Sequence, residues 1–246
     1  MKNNYKYILL IALAFIFGFS YGKVGSIISQ SSKISATGDR IAFISEKFLG
    51  TKYKAGTLIS DPEKSEKLVI NLEGMDCFTF LDYVEALRLS KDSDDFTENL
   101  KKVRYFNGIV SYKNRKHFFT DWVSGENNTV KDITSELPGS ITVEKYINRK
   151  SDTKNWLKNL PQTMRMITYI PANLVSKDVV KLLQNGDYVG VYADKEGLDV
   201  THTGIFIRNS SGEFFRNTSS IAGEVTDYNF KDYMKDIKGI IVFRAI

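Results

Sequence analysis

One cysteine and two histidines are all that this 246-residue chain has of its most reactive side chains, and each scarcity excludes something. A single cysteine, Cys77, rules out an intramolecular disulfide, so stability has to come from a packed core. His117 and His202 lie far from each other and from Cys77 in sequence and give no ligand pair at helical or turn spacing. No metal site and no cofactor are therefore expected. There is also no stripe of lysine or arginine and no nucleic-acid motif. The formal charge is +5, but the 34 basic and 29 acidic residues are interleaved and read as a solvated surface. Nucleic acid is not an expected partner, whereas a mild attraction to anionic wall polymer is compatible with the charge. Internal repeats and low-complexity segments are missing, and no apolar run reaches the ~20 residues of a membrane-spanning helix.

The longest apolar run, residues 7–19, follows Lys2 and Lys6 and precedes the small residues Ser20 and Gly22. This pattern reads as a secretory signal over residues 1–22, cleaved after Gly22, with an uncleaved anchor as the alternative. The expected location is outside the cytoplasm, in a bacterial periplasm. No cysteine follows the cleavage point, so a lipoprotein anchor is not expected. Residues 23–246 suit one domain, and 42% hydrophobic with 13% aromatic residues is ample for its interior.

Along that domain, the serine-rich stretch from Lys23 to Gly38 reads as a loose leader. Asp39 to Leu49 reads as a helix capped by Asp39 and ended by Gly50, and a β-like run precedes Cys77 at Leu68, Ile70 and Leu72. The helix beginning near Cys77 carries an apolar stripe through Phe78, Phe80, Leu81, Val84 and Leu87, with Asp82 and Glu85 to the side. A further helix follows, capped by Asp94 or Asp95. The aromatic and polar block from Tyr105 to Val123 has no fixed secondary structure but suits a binding cleft. Later come a strand from Ser140 to Ile147, a short helix from Asp152 to Leu160, an extended Met166 to Ile170, and a helix capped by Ser176. Strands at Tyr188 to Ala193 and Val200 to Arg208, a hairpin at residues 209–212 returning through Glu213 to Asn217, a helix near Phe230 and a strand from Ile240 to Phe243 complete the chain. Helices first and an antiparallel sheet last predict an α+β fold, with the Cys77 helix packed on the sheet and extra helices and insertions around it.

The chemistry follows from the thiol. At a helix start Cys77 meets the positive end of the helix dipole, which favours the nucleophilic thiolate. His202 sits in a strand on which Val200, His202 and Gly204 would share a face, leaving space beside the imidazole for the cysteine helix. Asn217, brought alongside by the hairpin, is the polar group that can orient the ring. His117, without a one-face strand around it, is assigned to the cleft wall or to ordinary surface. A helix-start thiol with a distant histidine is the pattern of papain-like cysteine catalysis, and acyl transfer is the reaction it supports.

Taken together, Gly50-Thr51-Lys52-Tyr53, Gly56-Thr57-Leu58, the run Asn71 to Phe80, His117-Phe118-Phe119-Thr120-Asp121-Trp122 and His202-Thr203-Gly204-Ile205 resemble the NlpC-type papain-like peptidoglycan hydrolases, and among them the N-acetylmuramoyl-L-alanine amidase-like branch. The resemblance implies cleavage of the amide between muramic acid and L-alanine in anhydro-muropeptides, with Cys77, His202 and Asn217 catalytic. It implies substrate contacts for Tyr53, Asp76, Asp121 and Trp122. The chain departs from the family pattern at Lys52, where proline is usual, and at Asn217-Thr218-Ser219-Ser220, where a histidine begins the motif. Two other expectations stand beside the amidase: an endopeptidase of the same fold cutting between D-glutamate and the diamino acid, and a silent module that only binds cell wall.

Overall fold

The computed structural model describes residues 22–59, 61–126 and 128–246; the secretory signal expected over residues 1–22 lies outside them except for Gly22. Its frame is one large, mostly antiparallel sheet. In chain order the strands are β1 (Lys52–Tyr53), β2 (Gly74–Met75), β3 (Val130–Asp132), β4 (Ile141–Ile147), β5 (Arg149–Ser151), β6 (Lys154–Asn155), β7 (Thr163–Pro171), β8 (Tyr188–Tyr192), β9 (Val200–Asn209), β10 (Gly212–Ser219), β11 (Glu224–Asn229) and β12 (Gly239–Ala245). The sheet order is β2-β1-β11-β10-β9-β8-β12-β7-β4, with β3 also on β12, while β5 and β6 form a separate hairpin. The helices are α1 (22–31), α2 (Thr37–Glu46), α3 (Cys77–Leu89), α4 (Ser93–Arg104), α5 (Lys177–Leu182) and α6 (Phe230–Tyr233). The mixed α+β class expected from the sequence is what the chain adopts.

α3 is the element on which the packing turns. It contacts β9 and β10 on one side and α2 and α4 on the other, so every residue from Thr79 to Leu87 is buried. Asp82 and Glu85, expected at the side of the stripe, are inside it. Each is matched: Arg104 donates to Asp82 at 2.7 Å, and Glu85 receives Arg88 and the Tyr188 hydroxyl. Leaving either charge unpaired there would cost several kcal/mol, at the scale of about 3–5 for breaking a buried pair. The sheet separates two apolar clusters. Tyr188, Tyr192, Ile205 and Phe243 pack with α3, and Val189, Val191, Phe206, Phe215 and Val242 pack with Phe230 and Met234 on the far side.

Several local expectations change. Residues 22–31, read as a loose leader, are helical because Val24, Ile27 and Ile28 recur at helical spacing and bury against the core. The run before Cys77 is not a strand; only Gly74 and Met75 pair, with Lys52 and Tyr53. Asp92, rather than Asp94 or Asp95, caps α4, and α2 starts at Thr37 with no side-chain cap. Residues 152–160 form the β6 arm and turns instead of a helix. The block after Tyr105 is a series of short 3₁₀ turns at Phe106–Gly108, Tyr112–Asn114 and Phe119–Val123.

Candidate active site

Asp76 makes the start of α3. Its Oδ1 accepts the N–H groups of Phe78 and Thr79 and the Thr79 hydroxyl, while Thr79 Oγ1 accepts the Asp76 N–H at 3.0 Å. This reciprocal cap satisfies backbone donors that would otherwise be orphaned and fixes Cys77 as the first helical residue. Asp76 is thus a helix cap, which accounts for its place beside the thiol. Across from it, Thr203 Oγ1 donates to the Cys77 carbonyl at 3.0 Å, tying α3 to β9.

Burial first, and then the Asp76 carboxylate, push the Cys77 thiol up to about 11; the hydroxyl and N–H of Thr203 and the N–H of Cys77 itself oppose this by favouring the thiolate. The helix start favours the thiolate, as expected, through the Cys77 N–H, but burial outweighs it. About half a charge at the helix end does not offset desolvation of the sulfur.

His202 is one step along β9 from Thr203. Asn217 Oδ1 accepts from its Nε2 at 2.9 Å, and Asn217 Nδ2 donates to the Phe215 carbonyl at 3.2 Å. The amide is thereby oriented, Nε2 carries the hydrogen, and Nδ1 keeps its lone pair. Burial lowers the imidazole pKa, and the Asn217 bond partly restores it.

The strand face differs from expectation. Val191 pairs with His202 but Tyr192 pairs with Val200, so Thr201 is an extra residue and Val200 falls on the opposite side from His202. The space beside Gly204 is also already filled: a Cβ there would stand 2.6 Å from the Phe215 ring. That ring meets His202 edge-on at 6.0 Å.

Cys77 and His202 line one cavity of about 230 Å³ together with His117, Phe118, Asp199, Thr203, Trp156 and Leu157. On the other side of His202 and Asn217 opens a groove of about 630 Å³ with Tyr228, Tyr233, Asp232 and Asp236. A larger groove, about 870 Å³, lies elsewhere, lined by Val180, Phe230 and Met234 together with several lysines, and contains none of the reactive groups. Cavity size does not point to the chemistry here; the polar geometry does.

The other expected site residues divide. His117 is in the cavity wall, its Nε2 bonded to the Tyr112 carbonyl at 2.8 Å, and burial pulls its pKa down to about 4. Tyr53 lies close enough to Cys77 and Asp76 for their charges, after burial, to raise its hydroxyl pKa. Asp121 and Trp122 do not line the cavity. Asp121 Oδ2 accepts the N–H groups of His117 and Phe118, and Oδ1 pairs with Arg165 at 2.6 Å. Trp122 is 3% exposed and packs against Phe78, Phe119 and Tyr188. Both support the wall from behind because their partners lie in the interior.

Sequence reasoning missed Thr203, Asp199 and the arm that brings Trp156 and Leu157. Asp199 is buried and receives the Thr120 N–H and hydroxyl. The arm is fastened by Asn148, which accepts the Leu157 N–H through Oδ1 and presents Nδ2 to the carbonyls of Leu157 and Leu160. Asn148 has φ of 73°, a left-handed turn that asparagine tolerates. Among the described residues no cluster of His, Cys, Asp or Glu could hold a metal ion, and no helix is long and apolar enough to cross a membrane.

Residues 43–240 match the AmiA-like family, N-acetylmuramoyl-L-alanine amidase-like, and the chain belongs to that family. The fold is similar to that of protein LPG0564 from Legionella pneumophila, with a TM-score of 0.77 and 24% identity over 95% of this chain and 96% of that one. It is also similar to an N-acetylmuramoyl-L-alanine amidase from Bacteroides uniformis, with a TM-score of 0.73 and 26% identity over 85% and 98% of the two chains. A putative xylanase from Bacteroides fragilis shares 28% identity and a TM-score of 0.67 over 81% and 98%. No curated protein matches by sequence.

Proposed function

We propose that this member of the N-acetylmuramoyl-L-alanine amidase-like family is an exported, papain-like cysteine amidase of the NlpC type. Its reaction is hydrolysis of the amide between N-acetylmuramic acid, in the anhydro form, and L-alanine in peptidoglycan fragments. The observation that carries this reading is the Asn217-held tautomer of His202, in the same cavity as a thiol at the start of α3.

In the mechanism, His202 Nδ1 takes the Cys77 proton as sulfur attacks the lactyl carbonyl, so the C–S bond forms and the carbonyl oxygen becomes an oxyanion. The Cys77 N–H at the helix start stabilises that charge. The imidazolium then protonates the alanine nitrogen, the C–N bond breaks, and the peptide leaves. Water, deprotonated by His202, attacks the thioester and releases the muramic acid, and sulfur recovers its proton. A raised thiol pKa and a lowered imidazole pKa favour proton transfer during attack over a preformed ion pair. The cavity of about 230 Å³ is smaller than the roughly 300–1,000 Å³ of typical ligand sites. It admits the groups around the scissile bond, and the remainder of the substrate lies outside.

The test is product mass analysis after incubation of a defined anhydro-muropeptide with the protein and with Cys77→Ala. The amidase reading predicts a peptide beginning with L-alanine, absent with the variant. Fragments cut between D-glutamate and the diamino acid would make it an endopeptidase, and no turnover by folded protein would make it a binding module.

A further inference from the structure

We infer that Lys150 and Lys195, held against the ring of Trp156 in the lining of the Cys77 cavity, form a subsite for a carboxylate of the stem peptide, an assignment that rests on the muropeptide reading above. Trp156 lines the cavity beside Cys77 and His202. Its ring is fastened at both ends of the residue: Nε1 donates to the Glu196 carbonyl and the backbone N–H to the Asn148 carbonyl, each at 3.0 Å.

Two ammonium groups from separate segments converge on that ring. Lys150 Nζ is 4.7 Å and Lys195 Nζ 4.3 Å from its centroid. Each is held against the electron-rich ring by cation–π attraction, which neutralises neither charge. Among the described residues neither ammonium has a carboxylate within salt-bridge reach. The acids of the same turn, Asp194 and Glu196, form no ion pair with either of them; burial lowers the pKa of the nearby Lys145, the charges of these acids oppose that, and its ammonium donates to the carbonyls of Ala193, Lys195 and Leu198.

The size of the cavity makes the subsite useful. A muropeptide cannot fit inside it and must extend past its lining, of which the half-buried Trp156 is part. The groove beyond His202 has the opposite character: Asp232, Asp236, Tyr228 and Tyr233 line it and no lysine or arginine does. Lys235 already pairs with Asp232 at 2.6 Å, so the lining of this groove offers a carboxylate no cation of its own, while the hydroxyls of a sugar find hydrogen-bonding partners. The two sides of His202 therefore orient the substrate, acidic peptide toward Trp156 and neutral sugar toward Tyr233.

The experiment uses the Cys77→Ala protein, so that turnover does not distort binding. It is titrated by calorimetry with a defined anhydro-muropeptide bearing free stem-peptide carboxylates, and with the same compound as its carboxamides. The carboxamide is expected to bind about 10-fold more weakly, the loss of one charge-assisted contact. In the Cys77→Ala background, Lys150→Gln with Lys195→Gln should bind both compounds alike, Lys150→Arg with Lys195→Arg should keep the preference, and Lys231→Gln should change nothing. Equal binding by Cys77→Ala, or a preference that survives the double glutamine change, would overturn the subsite. Cleavage by the unsubstituted enzyme scores the amidase reading separately. Cleavage without carboxylate preference rejects the subsite alone, preference without cleavage rejects the amidase alone, and absence of both binding and cleavage rejects both.

Discussion

Asn217 Oδ1 stands 2.9 Å from His202 Nε2, and the same amide is pinned through Nδ2 to the Phe215 carbonyl. The asparagine therefore selects which imidazole nitrogen keeps its lone pair, and in the proposed mechanism that nitrogen is the base. Asn217→Ala should leave the fold intact and lower kcat by about 10²-fold, within the range that general-base catalysis contributes. Asn217→Asp places a negative charge on the ring, raises the His202 pKa and moves the acid limb of kcat/KM to higher pH. An unchanged kcat in Asn217→Ala would remove the orienting role.

The thiol provides a second prediction. With its pKa near 11, alkylation of Cys77 by iodoacetamide should climb through the alkaline range instead of levelling off near neutrality, because only the thiolate reacts. Thr203→Val removes a hydroxyl that favours the thiolate and should slow alkylation at fixed pH. Labelling rates followed by intact mass check both. A plateau reached below pH 7 would show that His202 holds a resting ion pair.

Asp121 and Asp76 separate support from contact. Asp121→Ala leaves Arg165 and two backbone N–H groups without their acceptor and should cost about 3 kcal/mol in denaturant unfolding, at the low end for a broken buried pair. Asp76→Ala removes a helix cap and should cost about 1–2 kcal/mol. The folded fraction of Asp121→Ala should keep its KM; a higher KM with unchanged stability would place Asp121 in contact with substrate.

His117 adds a pH dependence to stability. Its folded pKa, about 4, lies below the 6.5 of the free side chain because burial disfavours the charged ring. Between these values the unfolded chain binds the extra proton, so stability is full above pH 6.5 and falls as pH drops toward 4, by on the order of 3 kcal/mol. Denaturant midpoints across this range should flatten in His117→Asn. Equal slopes for both proteins would show that other groups govern the acid loss.

That Cys77, His202 and Asn217 come together is legible in the sequence because each signal is local: a turn before an apolar helix, a β-rich run holding the histidine, and a hairpin that brings Asn217 alongside it. What was not legible depends on tertiary packing. Thr201 reads as an ordinary strand residue until β8 pairs across it. Trp122 resembles a cleft aromatic until Phe78 and Tyr188 close around it. Residues 152–160 carry a helix-like pattern, but Asn148 draws Leu157 and Leu160 into a turned arm. Asp82 and Glu85 look like a solvated flank, and only their distant partners Arg104 and Tyr188 explain their burial. The class of the fold survived these errors because it rests on the order of helices and strands.

In the proposed reaction Cys77 carries the acyl group. Rapid acid quench of the enzyme with a defined anhydro-muropeptide, followed by intact-protein and peptide mass spectrometry, tests it most directly. The account predicts a transient adduct with the mass of the anhydro-muramoyl acyl group, located on the peptide containing Cys77 and lost in Cys77→Ala along with all turnover. Continued release of L-alanine-terminated peptide by Cys77→Ala, or an adduct on another residue, would contradict it.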